Sequence, residues 1–88
     1  MDLQKNSQEY AYIDFSIAPP GGAAVDASMD QVTWTSVTFQ NGEGVVLLTG
    51  PNCATSGGIP VLQTGPLWIR VTNAPEVIIR SAGIVNVY

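Results

Sequence analysis

Residues 9–20, EYAYIDFSIAPP, show a clear alternation of apolar and polar positions. One face receives Ala11, Ile13, Phe15 and Ile17, and the other receives Tyr10, Tyr12, Asp14 and Ser16. Strict alternation over this length predicts a strand with one buried face. Two prolines and two glycines at residues 19–22 should end the strand, because proline lacks a backbone donor and glycine permits a sharp change of direction.

Residues 31–40, QVTWTSVTFQ, predict a second strand, since they are rich in β-branched and aromatic side chains. The apolar positions change from one face to the other near Thr35-Ser36. This change predicts either a β-bulge at that point or a strand that is buried on both faces.

A hairpin is predicted at the dipeptide Asn41-Gly42, because Asn-Gly between two apolar runs is the strongest short hairpin signal. The continuous apolar run that follows, residues 44–50, GVVLLTG, predicts a central strand. Residues 60–64, PVLQT, predict a short edge strand, because Pro60 fits only at the start of a strand or on an edge.

Alternation returns in residues 66–72, PLWIRVT. One face receives Leu67, Ile69 and Val71, and the other receives Trp68, Arg70 and Thr72. Residues 76–88, EVIIRSAGIVNVY, predict one or two final strands with a kink at Gly83. Residues 23–30, AAVDASMD, are the only stretch expected to take a helical turn, and they are too short to stand alone as a helix.

Together these segments predict an all-β fold: a single small antiparallel β-sandwich or barrel of about six or seven short strands. The domain should span residues 9–88. Residues 1–8 carry no apolar periodicity, and they are expected to form a flexible N-terminal arm that becomes ordered on a partner.

The charge of the chain excludes several classes of partner. Charged residues make up 11% of the sequence, against about 25% in an ordinary domain, and the net charge is −4. Lys5, Arg70 and Arg80 are the only cations, too few for a nucleic-acid interface or for binding an anionic membrane. No apolar run is long enough for a membrane span, and the polar first residues do not predict a signal peptide. Low charge is also typical of the core of subunit interfaces.

Candidate chemistry is scarce. Cys53 lies in the loop GPNCATSGGIP, and a reactive thiol needs a base or a cation beside it, yet the sequence contains no histidine. We expect Cys53 to serve as a small apolar residue. One cysteine cannot form an internal disulfide, and no metal-ligand or cofactor motif is present. The sequence therefore predicts a protein that is not an enzyme and that has no catalytic, cofactor-binding or metal-binding residues.

Exposed aromatic residues and arginine are enriched where proteins bind. Trp68 and Arg70 should share one face of a strand, and arginine stacks favourably on tryptophan. With Tyr10 and Tyr12 they are the candidate partner contacts, either as a subunit contact or as a sugar-binding platform.

Several features of the whole chain belong together: the polar segment MDLQKNSQE, the run of short strands, the loops APPGGAA and TGPNCATSGGIP, and the ending GPLWIRVTNAPEVIIRSAGIVNVY. In these features the chain resembles the small all-β virion proteins of tailed bacteriophages, which include capsid decoration proteins and head or tail accessory subunits. The resemblance implies binding to a capsid or to neighbouring tail subunits, often as a symmetric oligomer and without catalysis. It assigns no functional residue.

The leading hypothesis from the sequence is a non-catalytic structural subunit, a capsid decoration, minor capsid or accessory virion protein assembled in the host cytoplasm. Its partners would be other copies of the chain, with a trimer as one arrangement, and a larger assembly such as a capsid or tail. The alternative is a carbohydrate-binding β-sandwich module that uses the four candidate contacts.

Overall fold

The computed structural model describes residues 1–14, 23–40, 43–55, 57–73 and 75–88. These residues contain strands and no helix, so the all-β class predicted from the sequence is confirmed. The strands are β1 (Asp2–Leu3), β2 (Gln8–Asp14), β3 (Ala24–Ser28), β4 (Thr35–Ser36), β5 (Thr38–Gln40), β6 (Glu43–Thr49), β7 (Ile59–Pro60), β8 (Gly65–Asn73) and β9 (Glu76–Val87). They are more numerous than predicted because several are only two or three residues long.

The larger sheet has the order β1-β9-β8-β3-β4. The longest strand pair in this sheet is the antiparallel pair β8–β9, and β1 pairs with β9 in the parallel direction. The pairing of β8 with β9 shifts by one residue between Pro66↔Ile84 and Trp68↔Ser81, and Gly83, with a φ of 120°, lies in that shift. The predicted kink at Gly83 is therefore a bulge within one continuous strand.

The smaller sheet has the order β2-β6-β5, and β7 pairs with β6 in the parallel direction. The central position predicted for the apolar run is confirmed, since β6 has β2 on one side and β5 and β7 on the other. Gln40 pairs with Glu43, so the predicted hairpin is present, and Asn41-Gly42 itself lies outside the described residues.

The chain passes from the larger sheet to the smaller one within residues 31–40. β4 pairs with β3 in the larger sheet, whereas β5 pairs with β6 in the smaller sheet. Between them Val37 is buried, and its N–H donates to the carbonyl of Val25 at 2.9 Å. Both predicted alternatives, a single strand with a bulge and a single strand buried on both faces, are thus wrong: the apolar positions change face because the chain changes sheet.

One hydrophobic cluster contains residues from both sheets. It comprises Leu3, Ala11, Ile13, Val25, Ala27, Val37, Val46, Leu48, Ile59, Val61, Leu67, Ile69 and Val85. The alternation predicted for β2 and β8 is confirmed, because Ala11, Ile13, Leu67 and Ile69 are buried. Phe15, Ile17 and residues 19–22 lie outside the described residues.

Two sequence-based predictions are corrected by the strand pairings. Residues 1–8 are not a detached arm: Asp2 and Leu3 pair with Asn86 and Val87, and the Leu3 side chain is fully buried. Residues 24–28, expected to take a helical turn, form β3, because Val25 and Ala27 alternate into the core and the strand has β8 and β4 as neighbours.

Candidate functional site

The loop GPNCATSGGIP holds the N-terminal segment against the smaller sheet. Gly50 donates its N–H to the carbonyl of Ser7 at 2.9 Å, and Asn52 donates its N–H to the carbonyl of Lys5 at 2.8 Å. A Cβ on Gly50 would lie 2.5 Å from the Lys5 carbonyl oxygen, so the two backbones approach too closely for any side chain here. The loop therefore has a structural role.

Cys53 is a free, half-buried thiol within this loop, and its N–H donates to the carbonyl of Gly50 at 3.2 Å. Farther along, Gln8 donates its side-chain amide to the Thr49 hydroxyl at 3.0 Å and to the Gly57 carbonyl at 3.1 Å. The Thr49 hydroxyl also donates to the Gly57 carbonyl. These contacts tie the second half of the loop to β2 and β6.

The turn after β3 is built around Ser28 and Asp30. The Ser28 hydroxyl is buried, donates to Asp30 Oδ1 at 2.8 Å, and accepts the N–H groups of Asp30 and Gln31. Asp30 Oδ1 also accepts the N–H groups of Val32 and Thr33 at 2.8 and 2.9 Å. The backbone N–H groups of Thr33 and Val32, followed by the Ser28 hydroxyl, hold the pKa of the exposed Asp30 carboxyl below its ordinary value.

Replacing this carboxylate, Asp30→Asn, should lower stability at neutral pH and change the response to acid. Because the folded pKa is depressed, the carboxylate stabilises the fold above about pH 4, and this contribution is lost as the pH falls through the lower folded value. Urea unfolding of both proteins should show a difference at neutral pH that shrinks in acid. Asp14→Asn, on the exposed face of β2, removes one charge elsewhere and should not reproduce this pattern.

Arg70 lies in a polar cluster on the outward face of the larger sheet. Its Nη2 donates to Asp26 Oδ2 at 3.1 Å across the β3–β8 pair, and its guanidinium lies 4.4 Å from the centroid of the Trp34 ring. The Arg70 Nε atom is buried and has no hydrogen-bond partner among the described residues. The stacking partner predicted for Arg70 was Trp68, and Trp34 occupies that place. The contact of Trp34 with Arg70 was not predictable from the sequence, because Trp34 lies just before the point where the chain changes sheet.

The two tyrosines line a cleft on the outward face of the smaller sheet. Tyr10 pairs with Leu47 and Tyr12 pairs with Val45, which in turn pairs with Thr38 of β5. Tyr10 and Tyr12 are 58% and 64% exposed, as their positions in the alternation predicted. The cleft has a volume of about 420 Å³ and is also bordered by Thr35 and Ser36.

The four candidate contacts do not form one surface. Tyr10 and Tyr12 lie on the smaller sheet, whereas Trp68 and Arg70 lie on the larger sheet. The expectation of a shared binding platform is corrected, because β2 and β8 are strands of different sheets.

A row of apolar side chains on β9 was missed by the sequence reasoning. Val77 pairs with Thr72 and Ile79 with Arg70, so both lie on the outward face of the larger sheet, and they are 56% and 41% exposed. Ile84, farther along the strand, and Tyr88, just after its end, are also exposed. Val77, Ile78 and Ile79 are three consecutive apolar residues, so the sequence does not tell which of them face outward, and the choice depends on pairing with β8.

A second cleft, of about 530 Å³, lies between residues 29–35 and 59–66. Its walls include Met29, the exposed Leu62 and Pro66. Among the described residues, no three histidine, cysteine, aspartate or glutamate side chains are grouped so that they could hold a metal ion. The same part of the chain has no helix of the length and apolar character needed to cross a membrane.

Comparison of the chain with known protein families, with curated proteins and with solved structures found no match.

Proposed function

We propose that the chain is a non-catalytic structural subunit, folded as a single small β-sandwich, that binds other copies of itself and a larger assembly. The observation that carries this proposal is the row of exposed apolar side chains on β9. Long strands that expose apolar residues beside an unpaired edge are typical sites of association between chains. The sandwich is supported by the core cluster, to which both sheets contribute.

The low charge of the surface supports the same proposal. Two of the three cations lie on the larger sheet, and Arg70 is already paired with Asp26. Depletion of charge together with tyrosine and tryptophan is typical of the composition of an interface core. The assembly that we propose is the virion of a tailed bacteriophage, with this chain as a capsid decoration, minor capsid or accessory protein.

Immunogold electron microscopy tests this assignment directly. Antibodies raised against the purified chain are applied to purified particles of the phage that encodes it. Regular labelling of the head or tail is the expected result. Particles that carry no label, and whose protein content by mass spectrometry lacks the chain, would contradict the virion assignment.

The cleft beside the tyrosines favours a second candidate, a carbohydrate-binding module. Its volume lies within the range of small-molecule sites, and it combines two exposed aromatic rings with the hydroxyls of Thr35, Ser36 and Thr38. Trp68 and Arg70 would not take part in it. If this candidate is correct, the protein binds specific glycans on an array and Tyr12→Ala removes the binding, whereas Val32→Ala, at another exposed site, leaves it unchanged.

A further inference from the structure

β9 has one edge that is unpaired over half its length within the described residues. One edge of β9 pairs with β8 along the strand, starting at Asn73↔Glu76. The other edge pairs with β1, and only at Asn86 and Val87. Met1 extends the hydrogen bonding on this second edge to Ile84, because its carbonyl accepts the N–H of Asn86 and its nitrogen donates to the carbonyl of Ile84. Residues 76–81 have no neighbouring strand on this side in the described parts of the chain.

The hydrogen bonds fix which residues direct their backbone groups toward the open edge. The carbonyl of Val25 accepts the N–H of Val37, so the backbone N–H and C=O groups of Val25 point away from β8. Val25 and Val71 are therefore a non-hydrogen-bonded pair. Because N–H and C=O groups of a residue point to one side in antiparallel sheets, Val71 must bond to Ile78 of β9. Val77 and Ile79 then direct their backbone N–H and C=O groups away from β8, toward the open edge of β9.

The charges along this edge are arranged for pairing with an identical strand. Glu76 and Arg80 are exposed, have no ion-pair partner within the described residues, and flank Ile78 at equal distances along β9. Residues 76, 78 and 80 alternate with 77 and 79, so the two charged side chains lie on the same face.

We propose that two copies of the chain pair through these edges, β9 antiparallel to β9, about a two-fold axis at Ile78. In this register Val77 faces Ile79 of the second copy. Both residues direct their backbone N–H and C=O groups toward the open edge, so main-chain hydrogen bonds form on each side of the axis. Glu76 faces Arg80 of the second copy, and the symmetry repeats this opposite-charge pair.

The neighbouring registers are less favourable. An axis at Arg80 would place two arginines opposite each other, and like charges directly opposite destabilise a strand pair. An axis at Ile79 would leave Glu76 opposite Ala82 and Arg80 opposite Ile78, so neither charge is paired. The charges thus select the axis at Ile78. The inference rests on the proposed function only in that both require self-association, and it names a dimer contact where the sequence alone left a trimer as one arrangement.

Charge reversal tests this register. The purified full chain should sediment as a dimer that dissociates on dilution. E76R gives each copy two arginines in the contact, and R80E gives each copy two glutamates, so each variant alone should weaken the dimer at least about tenfold. Mixing the two variants should restore dimers of wild-type affinity that contain one copy of each, and the double variant E76R/R80E should also dimerise.

Glu43→Arg is the matched control, because it makes the same charge reversal at an exposed position on β6 of the other sheet. It should leave the dimer affinity unchanged. The proposal is overturned if the wild-type chain stays monomeric, if Glu43→Arg weakens the dimer as much as E76R, or if the mixture of E76R and R80E does not recover.

Circular dichroism of each variant checks its folding, and recovery in the mixture requires that both variants are folded. A dimer that is insensitive to these changes overturns the β9 contact alone, whereas unlabelled phage particles overturn the virion assignment alone.

Discussion

Replacing Leu3 by alanine should lower the free energy of unfolding by about 2–5 kcal/mol, the usual cost of truncating a fully buried leucine. The Leu3 side chain is completely buried in the cluster that joins both sheets. Single domains have a total stability of about 5–15 kcal/mol, so this one change should remove a large part of it. Urea unfolding followed by tryptophan fluorescence measures the effect.

Leu62→Ala is the matched control, because it makes the same change at a leucine that is 76% exposed. It should alter stability by no more than about 0.5 kcal/mol. Deletion of residues 1–7 should be at least as damaging as Leu3→Ala, since it also removes the backbone bonds from Tyr88 to Leu3 and from Lys5 to Tyr88. If both changes leave the unfolding midpoint where it is in the wild type, the segment is not part of the core.

Replacing Gly58 by alanine should cost about 2–4 kcal/mol, for two reasons that add. Gly58 has a φ of 66°, a left-handed conformation that residues with a Cβ adopt at a cost. The added Cβ would also lie 2.4 Å from the carbonyl oxygen of Leu47 in the central strand β6, so the backbone must move. Thermal unfolding of the variant measures this loss.

Gly65→Ala separates the local effect from the general effect of adding a methyl group. A Cβ at Gly65 meets no atom within 4 Å, and stability should change by no more than about 0.5 kcal/mol. Equal melting temperatures for the two variants would show that the close approach of the loop to β6 is absent in solution.

The parts of the fold that the sequence predicted correctly are those specified by local patterns of apolar residues. β2 and β8 show alternation, β6 is a continuous apolar run, and the Asn-Gly dipeptide marks one hairpin. The N-terminal segment was mistaken for an arm because its strand is two residues long and contributes only Leu3 to the core. Its stability depends on main-chain bonds to residues more than eighty positions away, which periodicity cannot reveal.

The candidate site shows the same limit. Exposure of Tyr10 and Tyr12 follows from local alternation, and the structure confirms it. The sheet to which each strand belongs is a non-local property, so the separation of the tyrosines from Trp68 was not predictable. The placement of Trp34 over Arg70 depends on the turn that Ser28 and Asp30 stabilise, and on the passage of the chain between sheets.

The pairing of β1 with β9 also affects the order in which the structure can form. Asp2 and Leu3 pair with Asn86 and Val87, so during synthesis the first strand has no partner until those late residues have left the ribosome. The β5–β6 and β8–β9 hairpins each close over two residues and can form early. Joining β1 to β9 closes a loop of most of the sequence, and contacts of such long separation slow folding. Until then Leu3 lacks the strand partner that holds it in the core.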